Sequence, residues 1–229
     1  APFNTALDFS DIDNDGDADA VVIWSKVRSD EEDVPPQFYE NKGTAEVPRF
    51  IQRNLAEDID FGTVRDVDLV DLDGDGDIDM VLATPNGELR FFENTTSNGI
   101  PSYEEKVGAE NPLDGLSTSN NPGSVTSPTI EFVDLDKDGD KDGVFGNSSQ
   151  TIVYYENVGD AQNPTFERRE AAENPFNDIN NNDVKRDRRV HLTDLDEDGD
   201  LDLIFGYNVY ITFDDQIDAR MRYYENVGN

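Results

Sequence analysis

The feature that most constrains this chain is a nine-residue acidic segment that recurs four times. In every copy aspartate occupies positions 1, 3, 5, 7 and 9, and glycine occupies position 6. The first aspartates of successive copies lie 60, 63 and 60 residues apart, which is too regular for a low-complexity acidic tail. The aspartates are Asp11, Asp13, Asp15, Asp17 and Asp19; Asp71, Asp73, Asp75, Asp77 and Asp79; Asp134, Asp136, Asp138, Asp140 and Asp142; and Asp194, Asp196, Asp198, Asp200 and Asp202. The chain is therefore predicted to be a repeat protein of four similar units.

Short apolar runs flank every acidic segment and indicate the strands of one unit. Val67–Val70 and Met80–Ala83, for example, precede and follow the second copy, and such runs bounded by Gly, Asn or Pro are typical of buried strands. A third run ends in aromatic-Glu-Asn, and a fourth begins with Pro-x-aromatic. The third-strand signatures are Phe38–Asn41, Phe91–Asn94, Tyr154–Asn157 and Tyr223–Asn226, and the fourth-strand signatures are Pro48–Phe50, Pro101–Tyr103 and Pro164–Phe166.

Four strands in a unit of this length predict an all-β fold, a β-propeller of four-stranded blades that bury their faces against one another. We expect a single domain over residues 1–229, in units of approximately 1–54, 55–111, 112–174 and 175–229. The fourth unit ends at Gly228-Asn229 before any Pro-x-aromatic segment, and Pro2-Phe3-Asn4 aligns with Pro175-Phe176-Asn177, which follows that strand. The last blade is therefore expected to lack its outer strand.

Three explanations of the missing strand stay open. The chain is a fragment of a longer propeller, or it tolerates a three-stranded last blade, or another chain adds a strand to the open edge. Four blades can close on themselves, while two such chains can form an eight-bladed ring. Because Ala1-Pro2-Phe3 does not begin a signal peptide, we expect a processed form or an excised fragment.

The charge of the chain limits its partners. It carries 52 acidic against 18 basic residues, a net charge of −34, and this self-repulsion calls for a neutralising cation. The same field disfavours nucleic acid and anionic membrane surfaces. The chain contains no cysteine, so thiolate metal sites are excluded, and no apolar run is long enough for membrane insertion.

Alternating aspartates with a fixed glycine predict calcium sites, because calcium takes six to eight oxygen ligands and a tight loop converges the side chains at positions 1, 3 and 5. An EF-hand would need a glutamate at position 12, where this chain has Val22, Leu82, Phe145 or Phe205. The loop must therefore close at position 9, and we expect about four calcium ions with a structural role.

The motif Asp-x-Asp-x-Asp-Gly-x-x-Asp, intact in all four units, resembles the FG-GAP and VCBS repeats, which include the calcium-binding blades of integrin α-subunit propellers. The resemblance implies that the side chains at positions 1, 3, 5 and 9 bind calcium and that position 7 contributes its backbone carbonyl. The aromatic-Glu-Asn signature is similar to that of bacterial VCBS-type repeats.

Catalysis is not expected. The only histidine, His191, lies in an apolar run before the fourth loop and is interpreted as a strand residue. No nucleophile elbow, HExxH motif or phosphate-binding glycine loop occurs, and the carboxylate pairs are assigned to calcium.

We therefore predict a non-catalytic, calcium-binding module of the extracellular space or cell surface that serves adhesion or assembly, with protein partners that include further copies joined head to tail by strand addition into a filament. The alternative is a carbohydrate-binding accessory domain, with glycan bound by Trp24 or by one exposed ring of each aromatic pair. Two insertions, Ser25–Pro36 and Tyr207–Arg220, are predicted to form loops, and partner contacts are expected there. The basic cluster Lys185–Arg189 is interpreted as local charge compensation, with a contact to an acidic neighbour or an anionic glycan as the alternative.

Overall fold

The computed structural model describes residues 4–25, 35–54, 59–96, 101–118, 128–147, 152–180, 189–211 and 216–228, and its regular structure is almost entirely antiparallel β-sheet. The strands are β1 Asn4–Ser10, β2 Asp19–Ser25, β3 Gln37–Asn41, β4 Phe50–Arg53, β5 Asp66–Val70, β6 Asp79–Ala83, β7 Leu89–Asn94, β8 Tyr103–Lys106, β9 Thr129–Val133, β10 Asp142–Gly146, β11 Val153–Asn157, β12 Phe166–Arg169, β13 Arg189–Thr193, β14 Asp202–Ile211 and β15 Gln216–Tyr224. One helical turn, α1 Asn177–Asn180, and two 3-10 turns, Gly108–Glu110 and Ala171–Glu173, are the helical elements of the described residues.

The strands form four sheets in chain order, each a propeller blade. Blade 1 contains β1 to β4, blade 2 β5 to β8, blade 3 β9 to β12, and blade 4 β13 to β15. The prediction of an all-β, four-bladed propeller whose last blade lacks its outer strand is confirmed within the described residues. Each acidic loop joins the first and second strands of its blade.

Three apolar clusters hold successive blades together. Phe38 of blade 1 packs with Leu69 and Phe92 of blade 2, and equivalent clusters join blade 2 to blade 3 and blade 3 to blade 4. Because a blade buries both faces, both rings of the pairs Phe91-Phe92 and Tyr154-Tyr155 are buried. One ring of each pair packs in the core, as predicted, and the second ring, which the glycan-binding alternative requires to be exposed, is buried in these two blades.

Side-chain oxygens of one blade bind the inner strand of the next. The carboxylates of Asp8, Asp68 and Glu131 accept the backbone N–H groups of Leu69, Phe132 and Leu192 at 2.7, 2.6 and 2.9 Å. The inner strand of a blade has only one strand neighbour, so these bonds satisfy donors that would otherwise be buried unpaired. The four inner strands β1, β5, β9 and β13 surround a central cavity of about 370 Å³.

The seam between blade 4 and blade 1 differs from the other three. Leu7 and Phe9 are 51% and 52% exposed, whereas the equivalent residues Val67 and Leu69 of blade 2 are 5% and 8% exposed. On the opposite side of the seam Leu195 is 55% exposed. No apolar cluster of the described residues joins these two blades.

Of the two predicted insertions, the structure describes most of Tyr207–Arg220 and little of Ser25–Pro36. Residues Tyr207–Ile211 and 216–220 extend the hairpin of β14 and β15, so the prediction of a loop over Tyr207–Arg220 is wrong for them. Most of Ser25–Pro36 and of the basic cluster lies outside the described residues, as do Pro2 and Phe3.

Candidate metal centres

The backbone of each acidic loop follows one repeated conformation. Glycine at position 6 has a φ of 95°, 98°, 101° and 92° in loops one to four. Position 4 is left-handed in every loop, with a φ of 57° at Asn14, 69° at Gly74, 66° at Lys137 and 62° at Glu197. Only glycine adopts the position 6 angle readily, which explains why this residue is fixed while position 4 varies.

Backbone N–H groups orient the carboxylates of each loop. The position 1 carboxylate accepts the N–H of the position 6 glycine, for example Gly16 to Asp11 at 2.9 Å and Gly199 to Asp194 at 2.9 Å. The position 5 carboxylate accepts the N–H of position 7, as Asp77 donates to Asp75 at 2.9 Å. These bonds turn the side chains towards the inside of the loop.

The side chains at the first positions of each loop converge. In every loop three carboxylates place one oxygen each within 4.8 Å of the other two. The groups are Asp11, Asp13 and Asp15; Asp71, Asp73 and Asp79; Asp134, Asp136 and Asp138; and Asp194, Asp196 and Asp198. The structure therefore brings together predicted site residues in all four loops.

Each loop also contains a buried carboxylate oxygen without a hydrogen-bond partner. These oxygens are the Oδ1 atoms of Asp13, Asp71, Asp134, Asp140 and Asp194. Leaving a buried acceptor unsatisfied costs about 1–3 kcal/mol, and more when the group is charged. A hard cation held by oxygen ligands fits this arrangement, since it would satisfy these atoms and neutralise the clustered charge.

The aspartate at position 9 is bound on both of its oxygens. In loop one Asp19 accepts the N–H of Ile12 at 3.2 Å and the N–H of Asn41 at 2.7 Å. The same two bonds occur in the other loops, so position 9 ties its loop to the aromatic-Glu-Asn signature of the third strand. Of the four, Asp79 belongs to a converging group. The donor is the backbone N–H of the signature asparagine, so this contact depends on the pairing of the second and third strands and not on the asparagine side chain.

Burial raises the pKa of three position 9 aspartates, whereas the bond from the Asn226 N–H lowers the pKa of the fourth, Asp202. Burial raises the pKa of Asp79 to about 7 and the pKa values of Asp19 and Asp142 to about 6, against the bonds from backbone N–H groups, which lower them. A divalent cation beside these groups would favour their charged forms.

The side chains at position 7 contact neighbouring loops in two places. Asp77 accepts a hydrogen bond from Asn14 Nδ2 at 2.8 Å, which links loop two to loop one. Asp200 forms an ion pair with Lys137, which links loop four to loop three. In both cases the position 7 carboxylate binds a neighbouring loop. The backbone carbonyl of position 7, rather than its side chain, therefore suits the role of metal ligand.

Residues 71–145 match the FG-GAP-like repeat. This range contains the second and third loops, and the resemblance to FG-GAP repeats is confirmed there. Cartilage acidic protein 1 of Xenopus tropicalis is 27% identical over 192 residues, which are 80% of this chain and 26% of that protein. The chain thus spans about a quarter of the length of this relative.

Outside the loops, His191 lies on β13 and donates from Nδ1 to Glu131 at 3.2 Å. Glu131 raises the pKa of His191 through this bond. The histidine is a strand residue, as predicted.

Among the described residues no helix is long and apolar enough to cross a membrane.

Proposed function

We propose that this chain is a non-catalytic, calcium-stabilised propeller module of an extracellular or cell-surface protein, with a role in adhesion or assembly. The observation that carries the calcium assignment is the buried, unpartnered carboxylate oxygen in every loop. One calcium ion in each loop would cancel eight of the 34 net negative charges. The converging carboxylates would hold the ion, together with position 9 and the position 7 carbonyl.

The proposed location follows from the family and the metal. FG-GAP repeats are usually extracellular, and the match over residues 71–145 supports the same location for this chain. Free calcium is high outside cells, where modules of weak affinity use it structurally. The absence of cysteine leaves metal and apolar packing to stabilise the fold.

Two unpaired surfaces support assembly. The first is the seam, where Leu7 and Phe9 on one side and Leu195 on the other are about half exposed. Covering the exposed part of each side chain would contribute about 1 kcal/mol. The second is the outer edge of blade 4, where β15 pairs only with β14 among the described residues. Copies that join head to tail by strand addition would cover both surfaces and extend into a filament.

Light scattering across a concentration series in calcium tests this proposal. We expect the apparent mass to rise with concentration, and Phe9→Asp to reduce the rise because it places a charge on the seam. Val107→Asp is the matched control, since Val107 is 65% exposed directly after β8 of blade 2. A mass that stays monomeric at high protein concentration would contradict assembly.

A glycan-binding module is the second candidate. Trp24 is 38% exposed on blade 1, and the rings of Phe9 and Phe50 lie 6.0 Å apart on the same blade. Exposed rings of this kind can stack on sugars. Calcium-dependent binding on a glycan array that Trp24→Ala abolishes would favour this candidate.

A further inference from the structure

Two side chains link loop one to loop two across the first blade interface. Asn14, at position 4 of loop one, donates from Nδ2 to the position 7 carboxylate of Asp77 at 2.8 Å. Asn94, the signature asparagine of blade 2, donates from Nδ2 to the carbonyl of Ile78 in loop two at 2.9 Å and to that of Ile12 in loop one at 3.4 Å. The first two loops are therefore bonded to each other at two places.

These bonds involve residues that lie beside the metal ligands of both loops. Asn14 lies between positions 3 and 5 of loop one, whose carboxylates converge. Asp77 is the residue whose backbone carbonyl is assigned to calcium in loop two. The backbone N–H of Asn94 donates to Asp79, a member of the converging group of loop two, at 2.9 Å. An ion that orders one loop therefore restricts residues that shape the site in the other.

One ion pair links loop three to loop four across the third interface. Lys137, at position 4 of loop three, pairs with the position 7 carboxylate of Asp200. Within the described residues, Asn226 donates from Nδ2 only to the carbonyl of Leu201 in its own loop, at 3.4 Å. Because the side chain of Lys137 is 54% exposed and salt screens exposed ion pairs, this link is weaker than the one between loops one and two.

The second interface lacks both links in the described part of the chain. Position 4 of loop two is Gly74, where a side chain has no room because a Cβ would lie 3.0 Å from backbone atoms of Ala161. Asp140, at position 7 of loop three, is 6% exposed, and its Oδ1 atom has no hydrogen-bond partner. The Nδ2 atom of Asn157 is also unpartnered, whereas that of Asn94 joins two loops.

We propose that the loops bind calcium as two coupled pairs, loops one and two more strongly coupled than loops three and four, while loops two and three bind independently of each other. Calcium in one loop of a pair raises the affinity of the other loop, and by thermodynamic linkage the factor is the same in both directions. Asn14, Asn94 and Lys137, none of which is assigned as a ligand, carry the coupling. The inference rests on the proposed function in that it requires calcium in the loops.

A calcium titration followed by NMR tests the coupling at each site separately. The glycine at position 6 supplies one backbone amide in every loop, so the full 229-residue chain gives four titration midpoints. In about 0.15 M salt, Asp13→Asn removes a ligand of loop one. The midpoint at Gly76 is expected to rise about threefold or more, because loop two loses the support of its partner. The midpoints at Gly139 and Gly199 should stay unchanged.

The direction of the shift distinguishes this coupling from the effect of charge alone. Five ionised aspartates give loop one a charge of −5, which calcium reduces to −3, whereas Asp13→Asn without calcium retains −4. The more negative loop would attract calcium to loop two and lower the midpoint at Gly76. Coupling raises that midpoint instead.

The reciprocal variant, Asp73→Asn, removes the equivalent ligand from loop two. The midpoint at Gly16 should rise by the same factor that Asp13→Asn produces at Gly76. The midpoint at Gly139 should not move, since loop three is not coupled to loop two.

Asn14→Gly removes one of the two links without straining the backbone. Asn14 has a φ of 57°, which glycine adopts readily, and the variant should reduce the coupling factor between loops one and two. Glu197→Gly is the matched control, since it makes the same backbone change at position 4 of loop four, where φ is 62°. It should leave the factor between loops one and two unaltered.

Three results would overturn the inference. The first is an unchanged or lowered midpoint at Gly76 in Asp13→Asn, and the second is a rise at Gly139 in Asp73→Asn as large as that at Gly16. Either one, with calcium still bound in the remaining loops, contradicts the coupling and leaves the calcium sites in place. The third, no calcium-dependent shift of any of the four glycines in the unsubstituted chain, contradicts the calcium assignment as well.

Discussion

The glycine at position 6 of each loop holds a φ near 95°, which L-residues with a Cβ rarely adopt. At Gly199 an added Cβ would meet no atom within 4 Å, so a substitution acts through the backbone alone. We predict that Gly199→Ala lowers the free energy of unfolding by about 1–3 kcal/mol and weakens calcium binding.

Glu197 is the matched control for this substitution. It lies two residues earlier with a φ of 62°, so Glu197→Gly relieves a left-handed backbone and should not destabilise the chain. Denaturant unfolding of both variants in calcium measures the two free energies. Equal stability of Gly199→Ala and the unsubstituted chain would contradict the role given to the glycine.

A second residue-scale prediction concerns Asp66, which faces the central cavity. Burial raises the pKa of Asp66 to about 7, while the N–H of Ile130 and the charge of Arg189 act to lower it. Since the folded pKa lies above the unfolded value, this group favours folding most at low pH, and its contribution is lost as the pH rises from about 4 to about 7.

Asp66→Asn keeps an acceptor for the Ile130 N–H and removes the titration. Relative to the unsubstituted chain, the variant should gain stability with rising pH, by at most about 1.4 kcal/mol per pH unit up to pH 7. Urea unfolding at pH 5, 6, 7 and 8 measures the difference, and Asp114→Asn on the surface is the control. A stability difference that is independent of pH would rule out titration of Asp66.

At the scale of elements, the position 9 aspartate joins the acidic loop to the third strand of its blade. Asp142 accepts the N–H groups of Leu135 and Asn157 and the hydroxyl of Tyr154. Asp142→Ala leaves these donors buried and should cost about 2–3 kcal/mol or more, even in EDTA. Asp138→Ala, at exposed position 5, loses one bond, from the Asp140 N–H, and should cost less stability in EDTA than Asp142→Ala, but it should lose one calcium ion.

Thermal unfolding in EDTA and calorimetric calcium titration of the two variants separate the anchoring role from the ligand role. If both variants behave alike in EDTA, position 9 is a ligand only. The sequence predicted the loop's closure at Asp142 from its spacing, but the bond to Asn157 depends on which strands pair, which the spacing alone does not give.

In other elements too, the sequence pattern predicted the strands, whereas contacts between strands and blades determine which residues are buried. The fourfold spacing predicted the strands and the three-stranded last blade, because apolar runs and turn residues are local signals. The burial of both Tyr154 and Tyr155 depends on two neighbouring blades, and the extension of β14 through Tyr207 depends on pairing with β15. The first does not follow from a single unit of the repeat, and the second does not follow from the residues of β14 alone.

At the scale of the whole molecule, three blade interfaces are closed by apolar clusters and by carboxylates that bind the next inner strand. In blade 4, the position equivalent to these carboxylates holds His191, which is already bonded to Glu131 of blade 3. The seam and the edge of blade 4 are therefore the places where this propeller differs from its own repeat, and the assembly proposal depends on them.

Calcium in the four loops is proposed to stabilise the folded chain. An ion that binds only the folded state at one hundred times its dissociation constant adds about 2.7 kcal/mol for each site. The most direct measurement is differential scanning calorimetry of the chain in calcium and in excess EDTA, with calcium stoichiometry determined on the same sample. We predict about four bound ions and a melting temperature that falls markedly on chelation; an unchanged melting temperature and no bound calcium would contradict the claim.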